Sequence, residues 1–356
     1  MGKVAFITGI LGQDGAYLAE FLLGKGYEVH GLVRWDSGLC SYEYYSRLYS
    51  LDLIDRITLH EGDMIDANSL NHIIKNIQPD EIYNLAALSH VKVSFETPSS
   101  ALQINTVGTL NVLESIRILG LEDKVKLYQA SSSEMFGSAP MPQNENTAMQ
   151  PCSPYGVAKL AAYHLACVYR RSYGIFISNG ILFNHESPLR GGDFVTHKVT
   201  RGVAEISKGR CDPIRLGNLD SVRDWGAAQD YVRGMWMILQ HSEADDFVLA
   251  TGRSRSVRDF VSASFKVIGR QIEWKYEGIN EKGIDSQTGE VLVVVDPEFF
   301  RPIELEYLLG DPTKAKDILS WSAQISFDQL VQDMVMADIE LLSIEKNNAV
   351  GRSYAQ

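Results

Sequence analysis

The first half of the chain repeats one pattern: a short apolar run rich in strand formers, a polar turn, then a longer stretch with helical periodicity. From Val4 the run Val-Ala-Phe-Ile-Thr meets Gly9, and a periodic segment from Tyr17 to Leu23 follows, which reads as strand, turn and helix. Glu28 to Val33, Arg56 to His60, Glu81 to Ala86 and Lys126 to Ala130 read as further strands. Helical periodicity fills the stretches from about Ser99 to Leu119 and from Tyr155 to Tyr173, the second after a loop holding Pro140, Pro142 and Pro151. Parallel strands need long crossovers, usually helices, so this alternation predicts a parallel sheet covered on both faces. The expected fold class is α/β: a Rossmann-type doubly wound parallel sheet with a smaller C-terminal lobe.

After Ile181 the pattern loosens. Gly191-Gly192 precedes a helix near Val195 to Lys208, Arg223-Asp224-Trp225-Gly226 precedes another near Asp230 to Gln240, and Phe247 to Ala250 reads as one more buried strand. The expected division places the sheet domain at 1–180, with later returns near 220–252. A lobe from 181–219 and 253–345 lies over the sheet's C-terminal edge, and 346–356 forms a flexible tail.

Composition narrows the function classes. A chain of 356 residues with 45% hydrophobic and 22% charged residues has globular composition and room for a sizeable core, and it holds no low-complexity tract or repeat. The net charge of −12, with no clustered Lys/Arg stripe, argues against a nucleic-acid partner. No apolar run approaches the roughly 20 residues of a spanning helix, and the N-terminus reads as a strand, so a cytoplasmic protein without a membrane partner is expected. Cys40, Cys152, Cys167 and Cys211 show no metal-ligand spacing, and no metal site is expected.

Gly9, Gly12 and Gly15 form Gly-x-x-Gly-x-x-Gly after the first strand and at the mouth of the first helix. The spacing suits a tight turn, close approach to a pyrophosphate and helix N-terminal amides aimed at it, although three glycines also serve plain turn chemistry. The end of the second strand, which reads the adenosine ribose in such folds, is mixed: Arg34 favours the 2′-phosphate of NADP, and Asp36 keeps NAD open. Asp63, at the end of the third strand, is placed to meet the adenine.

Tyr155 and Lys159 form Tyr-x-x-x-Lys and share a helix face, where an ammonium beside a phenol stabilises the phenolate. An amphipathic helix can also carry both residues by chance. Ser131-Ser132-Ser133-Glu134 stands at the end of the preceding strand, where open α/β sheets gather ligands, so hydroxyl, carboxylate and phenol converge. The same Ser-x-x-Glu spacing is a helix-capping pattern.

With these residues in place the chain resembles the extended short-chain dehydrogenases and, within them, the GDP-mannose 4,6-dehydratase family. The similar segments are Thr-Gly-Ile-Leu-Gly-Gln-Asp-Gly from Thr8, Leu-Ala-Ala-Leu-Ser-His-Val from Leu85 and Tyr-Gln-Ala-Ser-Ser-Ser-Glu from Tyr128. Later ones are Asn-Gly-Ile-Leu-Phe-Asn-His-Glu-Ser-Pro from Asn179, Arg-Asp-Trp-Gly from Arg223 and Arg-Pro-Ile-Glu from Arg301. The resemblance implies Tyr155 as base for the sugar 4-hydroxyl, Lys159 as its pKa partner and ribose anchor, Ser132 as a contact to the same oxygen, and Glu134 as acid/base for dehydration. It further implies Gln13, Asp14, Met64, Leu85, Ala86, Ala87, His185 and Arg190 as NADP contacts. Ser89, Asn184, Lys198, Leu216, Gly217, Asn218, Arg223, Arg301 and Glu304 would hold a GDP-sugar. A homodimer or homotetramer is the implied assembly.

The chain departs from the family at two points. Ser132 stands where threonine is usual, which keeps the hydroxyl and loosens its rotamer. Arg34-Trp35-Asp36-Ser37 replaces the usual Arg-Arg-Ser-Ser, a loop that in relatives touches NADP and a neighbouring subunit. A related GDP-sugar such as a manno-heptose, a sugar-nucleotide epimerase or reductase reaction, and a cofactor-binding module without chemistry remain the alternatives at this level.

Overall fold

The structure, a computed structural model, describes residues 2–34, 45–300 and 307–353. Its first half alternates as the pattern predicts: β1 (Val4–Thr8), α1 (Gln13–Gly24), β2 (Glu28–Val33), α2 (Ser46–Ser50), β3 (Thr58–Glu61), α3 (Ala67–Ile77) and β4 (Glu81–Asn84), of which the two helices α2 and α3 are not named in the pattern-based reading. Then come α4 (Val91–Glu96), α5 (Pro98–Leu102), a π-helical turn (Gln103–Val107), α6 (Gly108–Ile118), β5 (Lys126–Ser132), α7 (Pro154–Tyr173) and β6 (Phe176–Leu182). The helix expected from Ser99 to Leu119 is thus two helices joined by the π turn.

These strands and β10 build a seven-stranded parallel sheet in the order β3-β2-β1-β4-β5-β6-β10, where β10 is Asp246–Leu249. The direction of winding reverses between β1 and β4, and in such sheets the crevice at the strands' C-terminal ends is where ligands bind. Alternation along β1 shows why both faces are covered. Ala5 and Ile7 enter a core with α1, while Phe6 enters the opposite core with α3 and α6, all three fully buried. Burying one such large side chain contributes roughly 1.5–3 kcal/mol.

The second half adds β7 (Asn184–Glu186), α8 (Val195–Ser207), β8 (Ile214–Leu216), β9 (Val222–Ala227) and α9 (Ala228–Gln240) before β10. After it follow β11 (Ser254–Ser256), α10 (Val257–Val267), β12 (Ile272–Lys275), β13 (Lys282–Asp285), β14 (Val291–Val295), α11 (Thr313–Leu319) and α12 (Phe327–Ser353). Helix α9 returns to the sheet beside α1, whereas α8, α10 and α12 share a separate core with β8 and β14, through Val203, Phe265, Leu330 and Val293. Two small sheets, β11-β9-β7 and β12-β13-β14-β8, lie in this half.

Strand β9 is absent from the pattern-based reading because it carries charge inward. Asp224 is fully buried and accepts from the Thr251 backbone N–H, the Thr251 hydroxyl and the Gly252 N–H at 2.8, 2.6 and 2.9 Å. A buried carboxylate satisfied this way looks, in sequence, like a loop residue. At the other end, α12 continues to Ser353, inside the segment expected as a tail, since no Gly or Pro interrupts it before Gly351. Trp35, Asp36, Ser37, Arg301 and Glu304 lie outside the described residues.

Candidate active site

The loops at the sheet's C-terminal edge and the lobe enclose a cleft of about 940 Å³. Of the residues named from sequence, Gly9, Gly12, Gln13, Asp14, Gly15, Leu85, Ala86, Ala87 and Ser89 line it from the β1 and β4 ends. Ser132, Glu134, Tyr155, Lys159, Asn184, His185 and Arg190 line its middle, and Lys198, Leu216, Gly217, Asn218 and Arg223 its lobe side. Arg34, Asp63 and Met64 do not line this cavity; they follow β2 and β3 at the same edge of the sheet. Arg34 is exposed, and Met64 is buried against Gly108 of α6.

The glycine cradle is built by backbone crowding. Gly9 has φ +73°, a conformation that favours glycine, and a side chain there would come within 2.8 Å of the Ala86 amide. A Cβ on Gly15 would come within 2.3 Å of the Gly9 carbonyl oxygen. Helix α1 begins at this turn with no side-chain cap, so its first amides are free to receive an anion. The facing loop is anchored by Thr8, whose hydroxyl accepts from the Leu85 and Ala86 amides at 3.1 Å and donates to the buried Asn84. These features fit a dinucleotide pyrophosphate.

Asp14 and His185 cross-link this cradle to β7. His185 Nε2 is 2.8 Å from an Asp14 carboxylate oxygen, its Nδ1 is 2.8 Å from the Phe183 carbonyl, and its ring stacks on Tyr231 at 4.5 Å. Burial works against both charges, yet the mutual attraction prevails: the Asp14 carboxyl is held below its ordinary value and the His185 imidazole above its own. Gln13 closes the frame, donating to Asp14 at 3.0 Å and to the His185 carbonyl at 3.2 Å while accepting from Ser187 at 2.7 Å.

The first turn of α7 supplies the phenol. Ser153 caps the helix by accepting from the Gly156 N–H at 3.0 Å, Pro154 occupies the first turn, and the Tyr155 N–H donates to Ser94 Oγ at 3.2 Å. Gly156 lets this turn press on the end of β5: a Cβ there would meet the Glu134 carbonyl oxygen at 2.7 Å. Ser132 accepts from the Glu134 N–H at 3.3 Å and caps a short 3-10 turn, Ser133–Met135. The serine run therefore caps a turn and lines the cleft at once. Glu134 and Tyr155 meet in the same cavity, close enough for the carboxylate to oppose ionisation of the phenol.

Burial pushes the Tyr155 phenol up to about 12, with the Ser132 hydrogen bond and the Arg190 charge acting against it. Burial likewise draws the Lys159 ammonium down to about 8, opposed by the Asp14 carboxylate. Lys159 Nζ donates to the Ala130 carbonyl at 2.9 Å and lies 5.9 Å from the Tyr155 ring centre, so the spacing of four places both on one face without a direct contact.

Arg47, Phe194 and His90 were not named from the sequence, and they brace residues that were. Arg47 bridges the Leu189 and Leu11 carbonyls at 2.7 and 3.0 Å, tying the cradle to the loop after β7. Arg190 packs its guanidinium 3.6 Å over Phe194, and Phe194 in turn packs on His90. The buried side-chain oxygen of Asn184 has no partner among the described residues and fits a ligand donor. A cluster of side chains suited to a metal ion is absent among the described residues, as is any helix long and apolar enough to cross a membrane.

The family described as GDP-mannose 4,6 dehydratase matches residues 6–334. A GDP-mannose 4,6-dehydratase of Sinorhizobium fredii is 52% identical over 343 residues, 96% of this chain and 97% of that protein. A GDP-mannose 4,6 dehydratase of Homo sapiens is 49% identical over 353 residues, 98% and 95% of the two chains. One of Sordaria araneosa is 52% identical over 345 residues, 97% of this chain, which spans 62% of that longer protein. Among solved structures, RMD of Pseudomonas aeruginosa complexed with NADPH superposes with a TM-score of 0.75 at 21% identity, covering 95% and 99% of the chains. A UDP-glucuronic acid 4-epimerase of Bacillus cereus with UDP-glucuronic acid and NAD gives 0.79 at 22%, with 95% and 99% covered. With sequence identity near one half along almost its whole length and the acid, phenol and lysine gathered in one cleft, the chain belongs to the GDP-mannose 4,6-dehydratase family.

Proposed function

We propose that the chain converts GDP-D-mannose to GDP-4-keto-6-deoxy-D-mannose and water. The observation that carries this reading is that Glu134, Ser132, Tyr155 and Lys159 line a single cleft that also holds the glycine cradle. Gly9, Gly12 and Gly15 with the α1 amides would hold the pyrophosphate of a nicotinamide cofactor, and Lys159 its ribose. The cofactor when bound supplies reversible hydride acceptance, which keeps the overall reaction redox-neutral. Arg34 after β2 favours NADP, and NAD is the second reading, in keeping with NADPH and NAD in the two structures above.

Tyr155 takes the proton from the sugar O4, and Ser132 steadies the phenolate through its hydroxyl. A ketone at C4 acidifies the hydrogen on C5. Glu134 removes that proton and delivers it to the departing 6-hydroxyl, which leaves as water; the hydride taken from C4 would then return to C6 while a proton is taken up at C5, balancing the one Tyr155 drew from O4. Asn184, Lys198, Asn218 and Arg223 would position the GDP portion, and Arg301 and Glu304 complete that set from the sequence. Exposed Leu102, Val107 and Ile118 beside exposed Val157, Val168 and Tyr173 of α7 support self-association through these helices, as a homodimer or homotetramer. We place the enzyme in the cytoplasm.

The test is Glu134→Gln. General acid–base groups typically contribute about 10²- to 10⁴-fold, so product release should fall by that factor while oxidation at C4 persists, read as a transient rise in reduced-cofactor absorbance. A variant that releases the 4-keto-6-deoxy product at the wild-type rate removes Glu134 from the mechanism. An epimerase or reductase would leave the 6-hydroxyl in place, and mass spectrometry of the product separates the three.

A further inference from the structure

The turn Pro297–Phe299 reaches the cleft from the lobe, and two lysines from different parts of the fold converge on it. Lys198, on α8, places Nζ 3.1 Å from the centre of the Phe299 ring. Lys92, on α4 beyond the end of β4, directs Nζ at the Glu298 carbonyl oxygen, 3.4 Å away. Both side chains and Phe299 line the cleft. A ring face and a long hydrogen bond are weak holds for two full charges, and neither lysine forms a salt bridge among the described residues.

The nearby acids are engaged elsewhere or act only at a distance. Asp296 pairs with Arg215 at 3.2 Å and accepts from the Glu298 N–H at 3.0 Å. Burial is the largest influence on the Lys198 ammonium and lowers it, Asp296 and Glu298 work the other way, and Lys92 adds to the lowering. The last effect means that the two ammonium groups feel one another. Like charges that converge without a paired carboxylate favour an anion between them, and a diphosphate offers oxygens to two point charges at once.

We propose that Lys92 and Lys198 clamp the diphosphate of the sugar nucleotide from two sides, with Phe299 as the rest that keeps Lys198 turned toward the cleft. Lys198 alone would tie the ligand to the lobe; Lys92 ties it to the sheet domain as well. This rests on the reading of the cleft as a sugar-nucleotide site, but the clamp itself depends only on the diphosphate.

The test uses the full chain loaded with its nicotinamide cofactor, so that the α1 cradle is filled, and titrates inorganic pyrophosphate calorimetrically. Lys92→Gln should weaken pyrophosphate binding about tenfold, the scale of one charge-assisted contact, and Lys92→Arg should restore most of it. KM for GDP-mannose should rise by a similar factor with kcat retained, and the salt dependence of binding should become shallower. Unchanged cofactor retention and melting temperature show that the variant is folded. Equal pyrophosphate affinity in wild type and Lys92→Gln, or no binding by the wild type, overturns the clamp. GDP-mannose turnover in the same preparation is a separate readout: Lys92-dependent pyrophosphate binding without turnover refutes the proposed substrate and supports the clamp.

Discussion

The two walls of the cleft are built differently. On the sheet side, Ser132, Tyr155 and Lys159 are buried, and each is fixed by short-range partners: the Glu134 amide, Ser94 and the Ala130 carbonyl. On the lobe side Leu216 and Arg223 are buried, but Lys198 and Asn218 are half-buried, Phe299 is 41% exposed, and the Lys198 charge rests on a ring. Proton transfer requires groups held within fractions of an ångström, so it belongs on packed strands and a capped helix. Gripping a nucleotide tolerates looser contacts, because several long-reaching charges share the load and the ligand itself completes the order.

If this contrast is correct, changes on the sheet side should lower kcat, and changes on the lobe side should raise KM. The largest effect is expected from Tyr155→Phe, which removes the base and keeps the ring: kcat should fall roughly 10³-fold with cofactor binding retained, checked by steady-state rates and cofactor content. An unchanged kcat would erase the division. Next is the linkage of Lys159 to stability. Its folded value near 8 lies below the unfolded 10.5, so the unfolded chain binds more protons between those limits and stability rises as pH climbs through that window. The expected size is on the order of 3 kcal/mol between the limits. Above pH 10 Tyr155, raised to about 12, acts in the opposite sense, since the folded protein then holds the extra proton. Denaturant melts of wild type and Lys159→Met across pH 7 to 10 show whether the rise disappears with the lysine.

Smaller effects sharpen the comparison. Gly15→Ala forces a methyl toward the Gly9 carbonyl, and should cost about 1–3 kcal/mol of stability along with much of the cofactor affinity, read by melting with and without cofactor. Smallest is Lys198→Gln, for which a rise of about tenfold in KM at unchanged kcat is expected from loss of one charged contact. A fall in kcat instead would show that the lobe side also sets the geometry of reaction.

Local spacing carried much of this site. Gly9, Gly12 and Gly15 were readable because a turn that must approach a helix start excludes side chains within a few residues of one another. Tyr155 and Lys159 were readable because four residues make about one helical turn. Strand β9 was not, because the polarity of Asp224 and Arg223 masks burial that is satisfied by distant residues, Thr251, Gly252 and Gly310. Nor was the clamp at Phe299, since Lys92 and the carbonyl it faces are 206 positions apart.

By itself the sequence determined the alternation of strands and helices, the glycine turn, and the family to which its motifs are similar, for all of these arise from neighbours along the chain. Only the tertiary structure decided that Asp14 holds His185 across 171 residues, that Ser132 and Arg190 stand where they favour the Tyr155 phenolate, and that two lysines converge on the lobe turn. Electrostatic influence depends on distance and burial in space, and those quantities exist only once distant segments have packed.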